Sequence, residues 1–296
     1  MFSRFSCFLF ALSLSACVAP QLQQTPVVQT MVQPVSQPHY VANPSDAPRI
    51  RSASYLLVDA VSGVPIVAHD ADEPRSVAST QKLLMALVVL DQGNLDKRVT
   101  ITTTDKQVGS GGVTVKALRV GDTATRRQLL NASIVKSAND MVQALARDVA
   151  GSQARFMDLM NAKARELGMR SSWFANPHGM PAKGQHSTAR DMARCALIAY
   201  RSQFIREAAR LPAYRFNTGA GRTVYVETTN LLLGRMPECN GLKTGYTAAA
   251  GPCLISSAAR NGRAVILVQL HSQEGRARWD DAKLLLDWGL RRLSRG

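Results

Sequence analysis

Two short apolar stretches, residues 54–60 and 65–68, flank Val61-Ser62-Gly63-Val64, and such a pair joined by a glycine-containing loop predicts a β-hairpin. An apolar run of helical length follows at 82–90, headed by Lys82 and stopped by Gln92-Gly93-Asn94. From 124 to 210 the apolar positions recur mostly at helical spacing, as in Leu129, Leu130 and Ile134, then Met141, Leu145 and Val149. Thr188-Ala189-Arg190-Asp191 has the form of a cap opening the helix that holds 192–200. The pattern then returns to strand-like runs at 223–227, 241–247, 252–258 and 264–270, and a final amphipathic helix runs from about 279 to 293. Strands at both ends with helices between predict an α+β fold. An antiparallel sheet is built from the two chain ends and flanked by helices, and the helical middle is an inserted lobe. There is no internal repeat.

The first fifty residues follow other rules. Residues 5–16, behind Arg4, form an apolar run too short to span a bilayer, ending in Leu14-Ser15-Ala16-Cys17. That tetrapeptide resembles a bacterial lipobox, where the signal is removed before a cysteine that then carries lipid. An ordinary signal peptide cleaved near Ala16, with Cys17 incidental, is the alternative, and both predict export. Val18 lacks the aspartate that often retains lipoproteins in the inner membrane, a lean towards the outer one. In 18–50 only Asp46 and Arg49 are charged, while proline and glutamine each occur six times. Such a segment cannot bury enough apolar surface to fold alone. It reads as a tether with a mean span of about 30 Å and a full reach of roughly 110 Å. The expected organisation is a signal at 1–16, a lipid-anchored tether at 17–50 and a folded domain at 51–296, with the membrane a partner through lipid on Cys17.

With 46% hydrophobic and 19% charged residues the composition is that of an ordinary globular protein. The net charge of +15, from 36 basic and 21 acidic residues, favours an anionic partner such as nucleic acid, a membrane surface or an acidic polymer. No aromatic-interleaved basic motif and no zinc-ligand spacing is present, so neither nucleic acid nor a metal or other cofactor is expected. His178 and His186 lack a His-Glu-x-x-His companion and read as structural loop residues. Arg276, Arg278, Arg291 and Arg292 read as a solvated basic face. Cys195, Cys239 and Cys253 allow three disulfide pairings or three buried free thiols, and the sequence leaves both open. The oligomeric state is equally open.

Chemistry enters at Ser79-Thr80-Gln81-Lys82. On a helix, residues three apart share a face, so hydroxyl and amine would lie side by side, and lysine is rarely buried without a reason. A second copy of the spacing, Ser133 to Lys136, warns that it is weak evidence alone. Its company differs: Ser137-Ala138-Asn139 and Lys243-Thr244-Gly245 complete, in order, a three-part set found in penicillin-binding proteins and β-lactamases.

Four further stretches narrow the match: Asn176-Pro177-His178-Gly179-Met180, residues 186–193 (HSTARDMA), residues 241–247 (GLKTGYT) and Leu285-Leu286-Asp287-Trp288-Gly289. Together these resemble the D-alanyl-D-alanine carboxypeptidase family of low-molecular-weight penicillin-binding proteins, catalytic domain only, over roughly residues 50 to 290. The resemblance implies a β-lactamase/transpeptidase-like fold with the active site in a groove between sheet and helical lobe. It implies a serine-type carboxypeptidase or DD-endopeptidase that trims peptidoglycan stem peptides through an acyl-enzyme on Ser79 and binds β-lactam inhibitors covalently.

A serine hydroxyl needs a base within hydrogen-bond reach. Lys82 serves only if neutral, a change of about three units or ~4 kcal/mol from the usual ~10.4. Burial and a second cation, Lys243, both push that way. By the resemblance, Ser137 bridges the lysines and passes a proton to the leaving amine, Asn139 binds the substrate's backbone amide, and Thr244, with Gly245, its terminal carboxylate. The backbone N–H groups of Ser79 and Tyr246 form the oxyanion hole. Two alternatives remain. A β-lactamase of the same fold needs a group that hydrolyses the acyl-enzyme, and Glu166 in Arg165-Glu166-Leu167-Gly168 lacks the Asn-ending motif of such a loop. An inert wall-binding protein would carry a damaged motif, and none is damaged. Many family members also carry a β-rich second domain and an amphipathic helix. With the chain ending at Gly296 neither is expected, and lipid on Cys17 would replace that anchor.

Overall fold

The computed structural model describes residues 44–109, 111–273 and 276–294, so the expected signal, most of the tether and Cys17 lie outside the described residues. Strands β1 (Ser52–Asp59) and β2 (Pro65–His69) form the expected hairpin, and a 3-10 turn (Ala78–Gln81) leads into α1 (Lys82–Asp91). The lobe comprises β3 (Arg98–Thr100), α2 (Thr103–Lys106), β4 (Thr123–Thr125), α3 (Arg126–Lys136), α4 (Asn139–Ala150), α5 (Gln153–Glu166), α6 (Ala189–Arg201) and α7 (Gln203–Ala209). The chain returns through β5 (Ala213–Asn217), β6 (Thr223–Glu227), β7 (Cys239–Thr247), β8 (Gly251–Arg260) and β9 (Arg263–Ser272), and closes with α8 (Ala277–Leu293).

The main sheet has the order β2-β1-β9-β8-β7 with every pair antiparallel, so it is built from both chain ends as the pattern predicts. Alternation along the central strand separates two cores. Ile266, Val268 and Leu270 of β9 join the helical lobe, while Val265 and Leu267 pack with Trp279, Leu285 and Leu286 of α8. Helix α1 is buried from Lys82 through Val89, which explains a sequence apolar on all sides. The Thr188 hydroxyl accepts from Asp191 N at 3.0 Å and opens α6.

Three differences from the sequence reading have simple causes. The run 223–227 is a strand, but β6 pairs with β5 in a separate hairpin and not in the main sheet. Its alternation only says that Val224 and Val226 are buried, not which strand lies beside them. Strands β3 and β4, three residues each, are too short to carry a period. The end of the expected tether is docked: Ala47 and Ile50 pack on the α8 core, and Trp288 Nε1 donates to Asp46 Oδ2 at 3.3 Å.

Helix α8 approaches the sheet closely at Gly289, where an added Cβ would stand 2.7 Å from Leu57 Cδ2. Gly289→Leu is expected to cost about 1–3 kcal/mol in urea unfolding through overpacking. An unchanged midpoint would refute this packing.

Candidate active site

Ser79 does not cap a helix. It lies in the 3-10 turn, Gln81 is the N-cap of α1, and the Ser79 hydroxyl donates to His178 O at 3.1 Å. The preceding Ala78 has φ +48°, a left-handed conformation that costs a non-glycine residue on the order of 1–3 kcal/mol unless its surroundings enforce it. Two glycines provide that enforcement. A Cβ on Gly179 (φ +91°) would overlap the Ala78 carbonyl and stand 2.7 Å from Ser79 N. A Cβ on Gly245 would stand 3.0 Å from Val77 O and 3.1 Å from Ser79 N. The turn that carries Ser79 is thus pressed between the 176–180 loop and edge strand β7.

Lys82 has no solvent exposure, and its Nζ lies 2.6 Å from Ser79 Oγ, 2.7 Å from Asn139 Oδ1 and 2.7 Å from His178 O. A neutral amine has two N–H bonds and one lone pair. Lys82 Nζ donates to all three, while the Ser79 O–H is directed to His178 O. A neutral Lys82 keeps its two N–H bonds on Asn139 Oδ1 and His178 O and has a lone pair for the Ser79 O–H once that O–H turns away from His178 O. Burial, and then the Lys243 charge, hold the Lys82 ammonium well below its usual range, with Asp140 opposing. Lys243, 1% exposed, is lowered by burial to about 7, and its Nζ donates to Thr244 O at 3.0 Å. The His178 ring is lowered to about 4 by burial and then by Lys82, so at neutral pH it adds no third charge.

The expected residues gather unevenly. Ser79, Lys82 and Asn139 meet by direct contact, and Gly245 meets Ser79 through the packing of β7. Ser137, at φ +66°, ends α3 and is buried where the chain turns into α4, which starts at Asn139. The contacts of the two lysines above go to groups other than its hydroxyl. The Thr244 hydroxyl lies 2.5 Å from Thr229 Oγ1, and the Tyr246 side chain is 56% exposed. Asn139 Oδ1 accepts from Lys82 Nζ, a contact the sequence reading did not give it.

The sequence reading missed three contributors. The His178 carbonyl is backbone and gives no residue-type signal. Thr229 is tied to the lobe by its N–H to Val135 O at 3.2 Å. Arg278 was assigned to a solvated face, yet its Nη1 donates to Gly245 O at 3.3 Å while the guanidinium stacks on Trp279 at 4.5 Å. By contrast Arg291 pairs with Asp287, and Arg292 with Asp46. The second Ser-x-x-Lys copy has a local explanation: buried Ser133 donates to Leu129 O at 2.7 Å within α3. His186 Nδ1 stands 2.7 Å from Gly184 O, and no three metal-ligating side chains converge among the described residues. Cys195, Cys239 and Cys253 are free and buried.

Glu166 lies away from the site. It is exposed and pairs with Lys163, which also pairs with Asp91 at the far end of α1. Lys82 opens that helix nine residues earlier, roughly 14 Å away at 1.5 Å per residue.

Burying two lysines costs stability, which gives a pH test. Unfolded Lys243 titrates near 10.5 and folded Lys243 near 7. Below pH 7 the unfolded chain keeps a proton cost-free that the fold accommodates poorly, so the penalty is complete. It fades as pH rises from 7 to 10.5. Lys243→Met is therefore expected to be about 1–4 kcal/mol more stable than the parent at pH 7, converging with it towards pH 10.5 in urea unfolding. A pH-independent difference would contradict the depressed lysine.

Known proteins resemble this chain in sequence and fold. A family model described as D-alanyl-D-alanine carboxypeptidase matches residues 41–274. A D-alanyl-D-alanine carboxypeptidase of Escherichia coli is 32% identical over 257 residues, covering 83% of this chain and 63% of that protein, so the chain spans less than two thirds of that relative's length. One of Mycobacterium tuberculosis is 33% identical over 241 residues, covering 80% of this chain and 81% of that protein. The crystal structure of a Streptomyces DD-transpeptidase superposes with a TM-score of 0.78 at 30% identity, covering 83% of this chain and 99% of that one. With the family model matched along most of its length, this chain belongs to the D-alanyl-D-alanine carboxypeptidase family.

Proposed function

We propose that the protein is a serine-type D-Ala-D-Ala carboxypeptidase that trims peptidoglycan stem peptides and is acylated by penicillin. The observation that carries this is the buried Lys82 amine, held by Asn139 Oδ1 and His178 O with its Nζ 2.6 Å from Ser79 Oγ, within reach of the serine proton when the amine is neutral. Ser79 Oγ attacks the penultimate D-alanine carbonyl while its proton passes to Lys82. The backbone N–H groups of Ser79 and Tyr246 are the donors assigned to the developing oxyanion. Through Ser137 the proton reaches the leaving nitrogen, and D-alanine departs. Water then attacks the acyl-enzyme, Lys82 again takes the proton, and Ser79 is regenerated with one peptide bond hydrolysed.

Substrate placement follows from the edge position of β7. An extended peptide adds to it as a strand, by main-chain hydrogen bonds. Thr244, paired with Thr229, faces the terminal carboxylate, and Arg278 beside Gly245 supplies a nearby cation. Asn139 holds the peptide's backbone amide. Export, a lipid on Cys17 and attachment at the periplasmic face complete the proposal; they are supported by the amino-terminal pattern, where the tether would let the domain sample a layer away from its membrane. The remoteness of Glu166 argues against a β-lactamase built around that residue.

Fluorescent penicillin is expected to label the protein covalently and to fail on Ser79→Ala, and a stem pentapeptide is expected to release D-alanine. Labelling that survives Ser79→Ala would sink the assignment. Labelling without D-alanine release would favour an inert binder, and rapid turnover of the label a β-lactamase. Palmitate incorporation is expected to disappear in Cys17→Ala; incorporation that persists would remove the anchor.

A further inference from the structure

Asp140, next in sequence to Asn139, carries a fully buried carboxylate that no step above uses. Its Oδ2 accepts from Lys106 Nζ at 2.5 Å and from Val115 N at 3.0 Å, and Lys106 Nζ also donates to Val115 O at 3.0 Å. Burying such a pair is costly, and its α4 neighbours Met141, Val142 and Ala144 are apolar, so packing alone would be served as well by a neutral residue. One oxygen stays local, Oδ1 accepting from Met141 N at 2.9 Å in the first turn of α4, and the other, Oδ2, leads through Lys106 and Val115 to the segment 111–115.

That segment runs beside the reaction site. Asn139 N donates to Val113 O at 2.7 Å. Gly112 stands so near that an added Cβ would lie 3.0 Å from Asn139 Nδ2 and 2.8 Å from Val108 O. Val113 itself is 38% exposed, an apolar side chain left in solvent at the rim. The Asn139 amide therefore has its oxygen on Lys82 and its nitrogen towards this segment.

We propose that Asp140 is a positioning residue: through Lys106 it fixes residues 111–115 as one wall of the substrate groove, setting the Asn139 amide between Lys82 and that wall and offering Val113 to the stem peptide. The proposal rests on the peptidase reading for its substrate, but not for the clamp. A salt bridge that served stability alone would leave substrate affinity untouched when replaced by a neutral pair.

Two variants of the full chain test this. Lys106→Met/Asp140→Asn removes both charges together and leaves no uncompensated ion. Gly112→Ala presses a methyl group against Asn139 Nδ2 and against Val108 in a partly exposed segment and leaves the Asp140–Lys106 pair intact. Both are expected to raise KM for a stem pentapeptide at least tenfold with kcat within threefold, and the neutral pair to speed amide hydrogen exchange at residues 111–117. Unchanged KM in folded variants overturns the wall, as does a loss carried by kcat at constant KM. Unchanged exchange in the neutral pair overturns the clamp, and this readout needs no substrate. Faster exchange in a chain whose parent releases no D-alanine overturns the peptidase reading while supporting the clamp.

Discussion

A lysine amine buried where its charged form is disfavoured is the constraint on which the site depends. Charged, Lys82 would hold three donors against Ser79, Asn139 and His178 and could take no proton; neutral, it has two donors for two pure acceptors and a lone pair for the serine. Much of the lobe serves that state. Helix α1 is buried almost throughout, which supplies the desolvation, and the charge of Lys243 on β7 adds repulsion. The neutral His178 ring avoids a further cation in a pocket that already holds two titratable amines.

The same site stores strain. Ala78 is held left-handed ahead of Ser79, and the fold accepts this because Gly179 and Gly245 press backbone against backbone from two sides. Side chains hold that arrangement from behind. Gln81 donates to Asn176 O, and Asn176 both accepts from Gly179 N at 2.8 Å and donates to Met180 O at 2.7 Å. The loop that presents the His178 carbonyl is thereby fixed to the helix that carries Lys82. Stability given up in two buried lysines and one strained turn is recovered in the two large cores on either face of the sheet.

Much of this was legible in the sequence where chemistry follows residue type. Ser79, Lys82 and Lys243 could be picked out because a hydroxyl, a misplaced cation and a strand-borne second cation each leave a mark. The hairpin followed from two apolar runs around a glycine-containing loop, and the sheet from both ends and the closing helix from the pattern of apolar positions. What stayed hidden is carried by backbone or by distance. The His178 carbonyl has no side-chain signature, and the partnership of Thr229 with Thr244 depends on how β6 returns beneath α3. Arg278 looked like its basic neighbours, since nothing in a helix pattern says that one of its arginines reaches the edge of β7. The strand at 223–227 was visible, but its partner β5 and its separation from the main sheet were not.

The protonation state of Lys82 is the quantity to measure. Its side-chain nitrogen, isotope-labelled and followed by NMR from pH 5 to pH 11 with a Lys82→Met chain to assign the signal, is expected to show a neutral amine at pH 7. Its transition should lie well below the 10.5 of an ordinary lysine. A signal that remains an ammonium at pH 7 and titrates near 10.5 would contradict the account.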